Sequence, residues 1–173
     1  MTPLDIRAAR IARIAALPEE LAALVGGLSD ARLDTHAPDD PWTVRQVTHH
    51  MADSHANAFI RTKLILTEEH PTLKPYDQDA WAALPDTCAM PVGASLELLR
   101  GLHARWVRLF ESLGPADWGR AALHPEIGEV TIDDILETYA HHCNDHLAQI
   151  RRILTGAECG GDLPASAPSH GAA

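Results

Sequence analysis

Residues 43 to 69 run for 27 positions without a glycine or a proline. Nothing in such a stretch breaks a helix, and Thr43, at its start, is placed to cap one. Three more stretches read the same way. Residues 4 to 28, with Ile6, Ile11, Ile14, Leu21 and Leu24 recurring at helical spacing, predict a helix that Pro18 kinks or divides. Residues 92 to 113 predict a third helix. Residues 132 to 155 predict a fourth, opened by Thr131 as cap with Asp133 and Asp134 in its first turn. Four long helical patterns with little strand signal predict an all-α fold, a four-helix bundle.

The connections differ in kind. "GGLSDARLDTHAPDDP" reads as a break with a short turn. "HPTLKPYDQDAWAALPDTCAMP" is a long crossing with four prolines, and loops of that length in a small domain are often functional. A short hairpin is expected around Gly128, just before the last helix. No repeat or linker divides the chain, so residues 1 to 155 are expected to form one helical domain. The Gly, Pro, Ser and Ala of residues 156 to 173 predict a disordered tail.

Charge limits the partners. The formal net charge of -10 leaves no excess of Lys and Arg to neutralise phosphates. Nucleic acids and anionic membrane surfaces are therefore excluded as expected partners. Charges interrupt every apolar run well short of the ~18 residues a membrane span needs. Asp5, Arg7, Arg10 and Arg13 are scattered through the start, which is unlike a secretory leader. Cys88, Cys143 and Cys159 are odd in number and form no CxxC pair, which predicts no disulfide framework and a cytoplasmic setting.

The eleven histidines carry the chemistry of interest. His142 and His146 are four apart and share one face of the last helix. Chance alone gives roughly 0.7 such pairs in a chain this rich in histidine, so the spacing decides nothing by itself. The face is more telling. Ile135, Tyr139, His142, His146, Gln149 and Ile153 form one stripe, beside Leu136, Ala140, Cys143, Leu147, Ile150 and Leu154. On the second helix, Val44, Val47, Met51, Ala58 and Ile65 mark the apolar side, and His50 stands where it meets a polar stripe through Ser54, Asn57 and Arg61. His49 points about 100° from His50, and His55 nearly 140°. Convergence of His50, His142 and His146 would give three imidazoles with a fourth position open. The same residues could instead bond Ser54, Tyr139 or trapped water, and periodicity alone leaves both readings standing. His36, His70, His103, His124 and His170 are expected at the surface. Cys143 occupies the Glu position of HExxH, which argues against that protease motif, and reads instead as a small buried thiol.

At this point the chain resembles a known family. "WTVRQVTHHMADSHANAFIRTKLILTEEHPTLKPYDQDAWAALPD" at 42 to 86 is similar to the YfiT branch of the DinB/YfiT superfamily. So are "LHARW" at 102 to 106, "HPEIGEVT" at 124 to 131 and "YAHHCNDHLAQI" at 139 to 150. The resemblance implies a four-helix bundle of up-down-down-up style, commonly a homodimer. It implies one divalent metal per chain, zinc first and nickel second, held by the second His of "HH", His50, and by His142 and His146. Members are described as metal-dependent hydrolases, and similar proteins are S-transferases that use a low-molecular-weight thiol, bacillithiol in particular.

The expected function is therefore a metal-dependent S-transferase joining a small thiol to an electrophile. Hydrolysis by metal-activated water is the alternative, and a non-catalytic metal-stabilised bundle is the third reading. Asn57 and Arg61 are the candidates for the substrate pocket. Trp42, Tyr76 and Trp81 are candidates for its mouth, and Asp53 and Asp145 for a general base. The last helix departs from the branch: His141 stands where an aromatic is common, Asn144 and Asp145 where histidines are frequent, and Gln149 where another histidine is frequent.

Overall fold

A computed structural model describes residues 2 to 156. Four long helices form the frame: α1 (Pro3–Val25), α3 (Val44–Thr67), α6 (Gly93–Glu111) and α7 (Ile132–Thr155). Short helices α2 (Asp30–Leu33), α4 (Gln78–Ala82) and α5 (Pro85–Ala89) lie in the connections. Both α6 and α7 pack against α1 and also against α3, so α1 and α3 stand across a diagonal. The expected four-helix bundle is what the chain forms. No helix among the described residues is long and apolar enough to cross a membrane.

Local chemistry sets the helix starts. Thr2, Thr43 and Thr131 each accept a hydrogen bond from the third helical residue, whose own side chain (Asp5, Gln46 and Asp134) bonds back to the cap. These reciprocal boxes satisfy backbone donors that have no partner within a helix. Gly156 closes α7 at φ 61, a left-handed position that suits glycine. The tail expected from there onward otherwise lies outside the described residues, as do Cys159 and His170. Pro18 does not divide α1, which runs unbroken through it.

The core is drawn from all four helices. Ile14, Leu17 and Leu21 of α1 meet Met51 and Ile65 of α3, Leu99, Trp106 and Phe110 of α6, and Ile135, Leu136 and Leu147 of α7. Burial of apolar side chains is the main driving force here. The Trp106 indole N–H is satisfied inside this core by Thr62 Oγ1 at 3.1 Å.

The expected hairpin is present. Strands β1 (Ala121–His124) and β2 (Gly128–Thr131) pair antiparallel, with His124 opposite Gly128. Gly128 turns the chain at φ 87, where a side chain would be strained. The crossing after α3 is tied to this hairpin, because Leu73 N–H donates to Leu123 O and Leu123 N–H to Pro71 O. Beyond that anchor, α4 and α5 fold back onto α3.

Candidate metal centre

The capping box at Thr43 starts α3 two turns before His50, and the box at Thr131 sets the phase of α7. The outcome is convergence. Ring nitrogens of His50, His142 and His146 all lie within 4.8 Å of one another. The His142 and His146 rings are 4.2 Å apart between centroids, and His50 lies 4.9 Å from His146 and 5.4 Å from His142. His50 is buried, while His142 and His146 are half-buried, so the cluster is open on one side. Trp42 packs its ring 4.7 Å from that of His50.

Each imidazole is held neutral. Desolvation lowers His50 to about 3, with the nearby His146 adding to the effect. Desolvation takes His142 well below the ordinary histidine range, and lowers His146 as well. A neutral ring carries one N–H and one lone pair, and the partners decide which nitrogen has which. Gln149 settles this for His146. Its Nε2 donates to Asp40 Oδ2 at 2.7 Å, so its Oε1 is the atom that faces His146 Nδ1 at 2.6 Å. Nδ1 must donate there, which leaves a lone pair on His146 Nε2. Asp40 is itself fixed by Arg152 and by the Trp42 N–H.

The donor set fits a divalent ion. Three neutral imidazoles are the common ligands of catalytic zinc, and bonds of about 2.1 Å require donors only a few ångströms apart. His146 Nε2 and His142 Nε2 face each other at 3.0 Å. A lone pair on each at that separation would repel unless a cation stood between them.

The other candidates are dispersed. Arg61 is buried, and its Nη2 donates to the backbone carbonyl of Lys74 at 2.7 Å rather than to a carboxylate. Asn57 donates to Asp53 O and lines a cavity of about 320 Å³ with Lys74, Tyr76, Asp77 and Trp81. Trp42 therefore lies on the histidine cluster itself, whereas Tyr76 and Trp81 pack their rings 4.5 Å apart at a tilt of 42° beside Asn57. Asp145 is exposed. Asp53 is half-buried, and desolvation, helped by Asp86, raises it to about 6. Cys143 is a buried thiol, pushed up to about 12 by desolvation.

Two histidines depart from expectation. His103 and His124 are not at the surface: each is 1% exposed. His49 and His55, which point away from His50 on a helical wheel, are also buried. The reason is that α3 has cover on nearly every side along its first half. His49 bonds Ser95 Oγ at 2.7 Å and Met90 O at 3.0 Å, in the segment running from α5 into α6. His55 faces the bundle interior and touches His103 and His142. The signal was present in both cases. His55 fills the gap in the stripe Met51, Ala58, Ile65, and His103 lies in register with Leu99, Trp106 and Phe110.

A four-helix bundle with a three-histidine cluster across α3 and α7 defines a class of candidate metal-binding bundles. Residues 13–150 match the model of the DinB superfamily, and the chain belongs to that superfamily. A protein of Bacillus mycoides named "Putative metal-dependent hydrolase" is 47% identical over 143 residues, covering 83% of this chain and 82% of the relative. One of the same name from Oceanobacillus iheyensis is 46% identical over 137 residues, 79% of each chain. Among solved structures, YfiT from Bacillus subtilis superposes with a TM-score of 0.84 at 38% identity, covering 88% of this chain and 87% of that one. It is described as "a probable metal-dependent hydrolase with an unusual four-helix bundle topology".

Proposed function

We propose that this chain is a metal-dependent enzyme in which His50, His142 and His146 hold one divalent ion, zinc first and nickel second. The observation that carries the reading is the convergence of three neutral imidazoles on an open-sided point. The names of the relatives, metal-dependent hydrolases, support the coarser statement. When bound, such an ion supplies Lewis acidity and lowers the pKa of a thiol or a water in its open position.

The finer reading is S-transfer from a low-molecular-weight thiol, bacillithiol-like, to an electrophilic small molecule. The three donors contribute no negative charge, which suits an anionic sulfur ligand. The histidine cluster also includes no carboxylate ligand, and Asp40, the buried acid beside it, is engaged by Gln149 and Arg152. A thiol, with a pKa of about 8.5 against about 15.7 for water, needs a strong base less than water does. The sulfur forms a C–S bond, the leaving group departs with its bonding pair (or an epoxide C–O bond opens), and the thiol proton passes to solvent. Asn57 and the Tyr76–Trp81 pair would shape the cavity that receives the organic part.

The second reading is hydrolysis, and Asp53 favours it. A carboxyl raised to about 6 is matched to general-base work near neutral pH. Thiol consumption with a haloarene or an epoxide, and ester cleavage without thiol, are measured with and without prior chelation. Metal-dependent thiol consumption supports S-transfer, and metal-dependent ester cleavage without thiol supports hydrolysis. Equal rates after metal removal would overturn both.

A further inference from the structure

One file of hydrogen bonds crosses all four long helices. It begins at Pro18, which has no N–H, so the Ile14 carbonyl lacks the donor an unbroken α-helix would give it. His103 Nδ1 on α6 takes that place, 2.7 Å from Ile14 O. The other nitrogen of His103, Nε2, lies 2.9 Å from His55 Nδ1 on α3. His55 Nε2 in turn lies 3.2 Å from His142 Nδ1 on α7. The ring planes of His55 and His103 lie 11° apart with centroids at 4.9 Å, and Trp106 and Tyr139 close around His55 edge-on. Their rings are sealed from solvent.

The file has a direction, and a carbonyl sets it. Oxygen of a backbone carbonyl only accepts, so His103 must carry its hydrogen on Nδ1. A neutral imidazole has one N–H, so His103 Nε2 is an acceptor. His55 Nδ1 must then donate to it, which makes His55 Nε2 an acceptor. His142 Nδ1 must donate in turn, and the lone pair of His142 falls on Nε2. Reversal of any link would leave two hydrogens or two lone pairs in contact inside the core, where no water can relieve them. Neither ring meets water, His55 being 0% and His103 1% exposed, and burial disfavours the charged form.

We propose that His103 and His55 are positioning residues for the metal site: they hold His142 as its Nδ1–H tautomer and present its Nε2 lone pair to the ion. The inference rests on reading His142 as a ligand. It assigns a role to two buried histidines that lie outside the ligand cluster and to a proline in the middle of α1. Gln149 and Asp40 do the same for His146 from the opposite side, so the two ligands of α7 are oriented by independent anchors. Ligand histidines commonly need such partners to fix tautomer and ring orientation.

Imidazole ¹⁵N spectra of the zinc-loaded, untagged full chain at pH 8 test this without mutation. Protonated Nδ1 on His142, His55 and His103 is expected, and an Nε2–H on His55 or His142 would overturn the proposal. Zinc affinity is measured in parallel by competition with a chromophoric chelator. His55→Leu removes the acceptor for His142 and is expected to weaken zinc about 10- to 100-fold. His55→Gln, whose carboxamide oxygen can still accept, is expected to restore most of that loss. Unchanged affinity in His55→Leu would sink the role of the file while leaving the metal reading intact. Absence of zinc binding by the wild type would remove both. Should His55→Leu fail to fold, the wild-type spectra and the Gln variant decide the matter.

Discussion

His142 Nε2 and His146 Nε2 face each other at 3.0 Å, and the other nitrogen of each ring is already committed, to His55 Nε2 and to Gln149 Oε1. Both rings are neutral by burial, so the contact sets lone pair against lone pair. A cation relieves it. Untagged protein purified without added metal is therefore expected to carry about one ion per chain, as a single three-ligand site requires. His142→Ala is expected to carry almost none. Elemental analysis makes the comparison, and equal metal in both proteins would place the ion elsewhere.

Gln149→Leu removes the acceptor of His146 Nδ1 while leaving Asp40 bonded to Arg152. His146 is then free to turn or to move its hydrogen to Nε2. Metal affinity is expected to drop about 10- to 100-fold, the usual consequence of losing an orienting partner. Circular dichroism should show the bundle intact. Titration against a competing chelator reads the change, and wild-type affinity in the variant would deny Gln149 this role.

The metal-free protein is expected to lose stability in acid. His50 and His103 are lowered to about 3 and about 4, whereas an unfolded histidine titrates near 6.5. Between those limits the unfolded chain binds more protons than the folded one, so stability is full above about 6.5 and falls as pH drops toward 4. Each such group contributes about 1.4 kcal/mol per pH unit across its window. Asp53, raised to about 6, acts in the opposite sense between about 3.9 and 6, but it is one carboxyl against several buried histidines. Urea midpoints at pH 7 and pH 5 check this, and equal midpoints would contradict it.

Thr62→Val keeps the shape of the core but removes the acceptor of the Trp106 indole N–H. That leaves a buried donor unmatched, at a cost of about 1–3 kcal/mol. Metal content should stay at the wild-type level, because Thr62 does not touch the histidine cluster. Chemical unfolding combined with elemental analysis separates the two effects.

Asp53→Asn discriminates between the two chemistries. If Asp53 serves as base for hydrolysis, the acid limb of the pH–rate profile near 6 should vanish together with most of the rate. S-transfer should retain its rate and its profile. An unchanged ester-cleavage profile would leave hydrolysis without a base from this residue.

The sequence alone determined the helices and put His142 and His146 on one face, but it left open whether His50 met them. The unbroken run from Thr43, the caps at Thr43 and Thr131 and the spacing of His142 and His146 are local features, governed by hydrogen bonds three or four residues long. The structure follows them, down to the bounds of α7 at Ile132–Thr155. The tertiary structure decided what lies behind the ligands. His103 looked like a surface residue because its polar partners are far away in sequence, at Ile14 and His55. His55 looked misdirected because a helical wheel assumes one buried face, whereas α3 is covered by α6, α7 and the short helices of the crossing. Pro18 read as a kink or a division in α1. Only packing shows that the carbonyl it frees is taken by a histidine from another helix. Periodicity can place a polar side chain on a face, but a buried polar group is settled by the partner that satisfies it, and that partner is chosen when the helices meet.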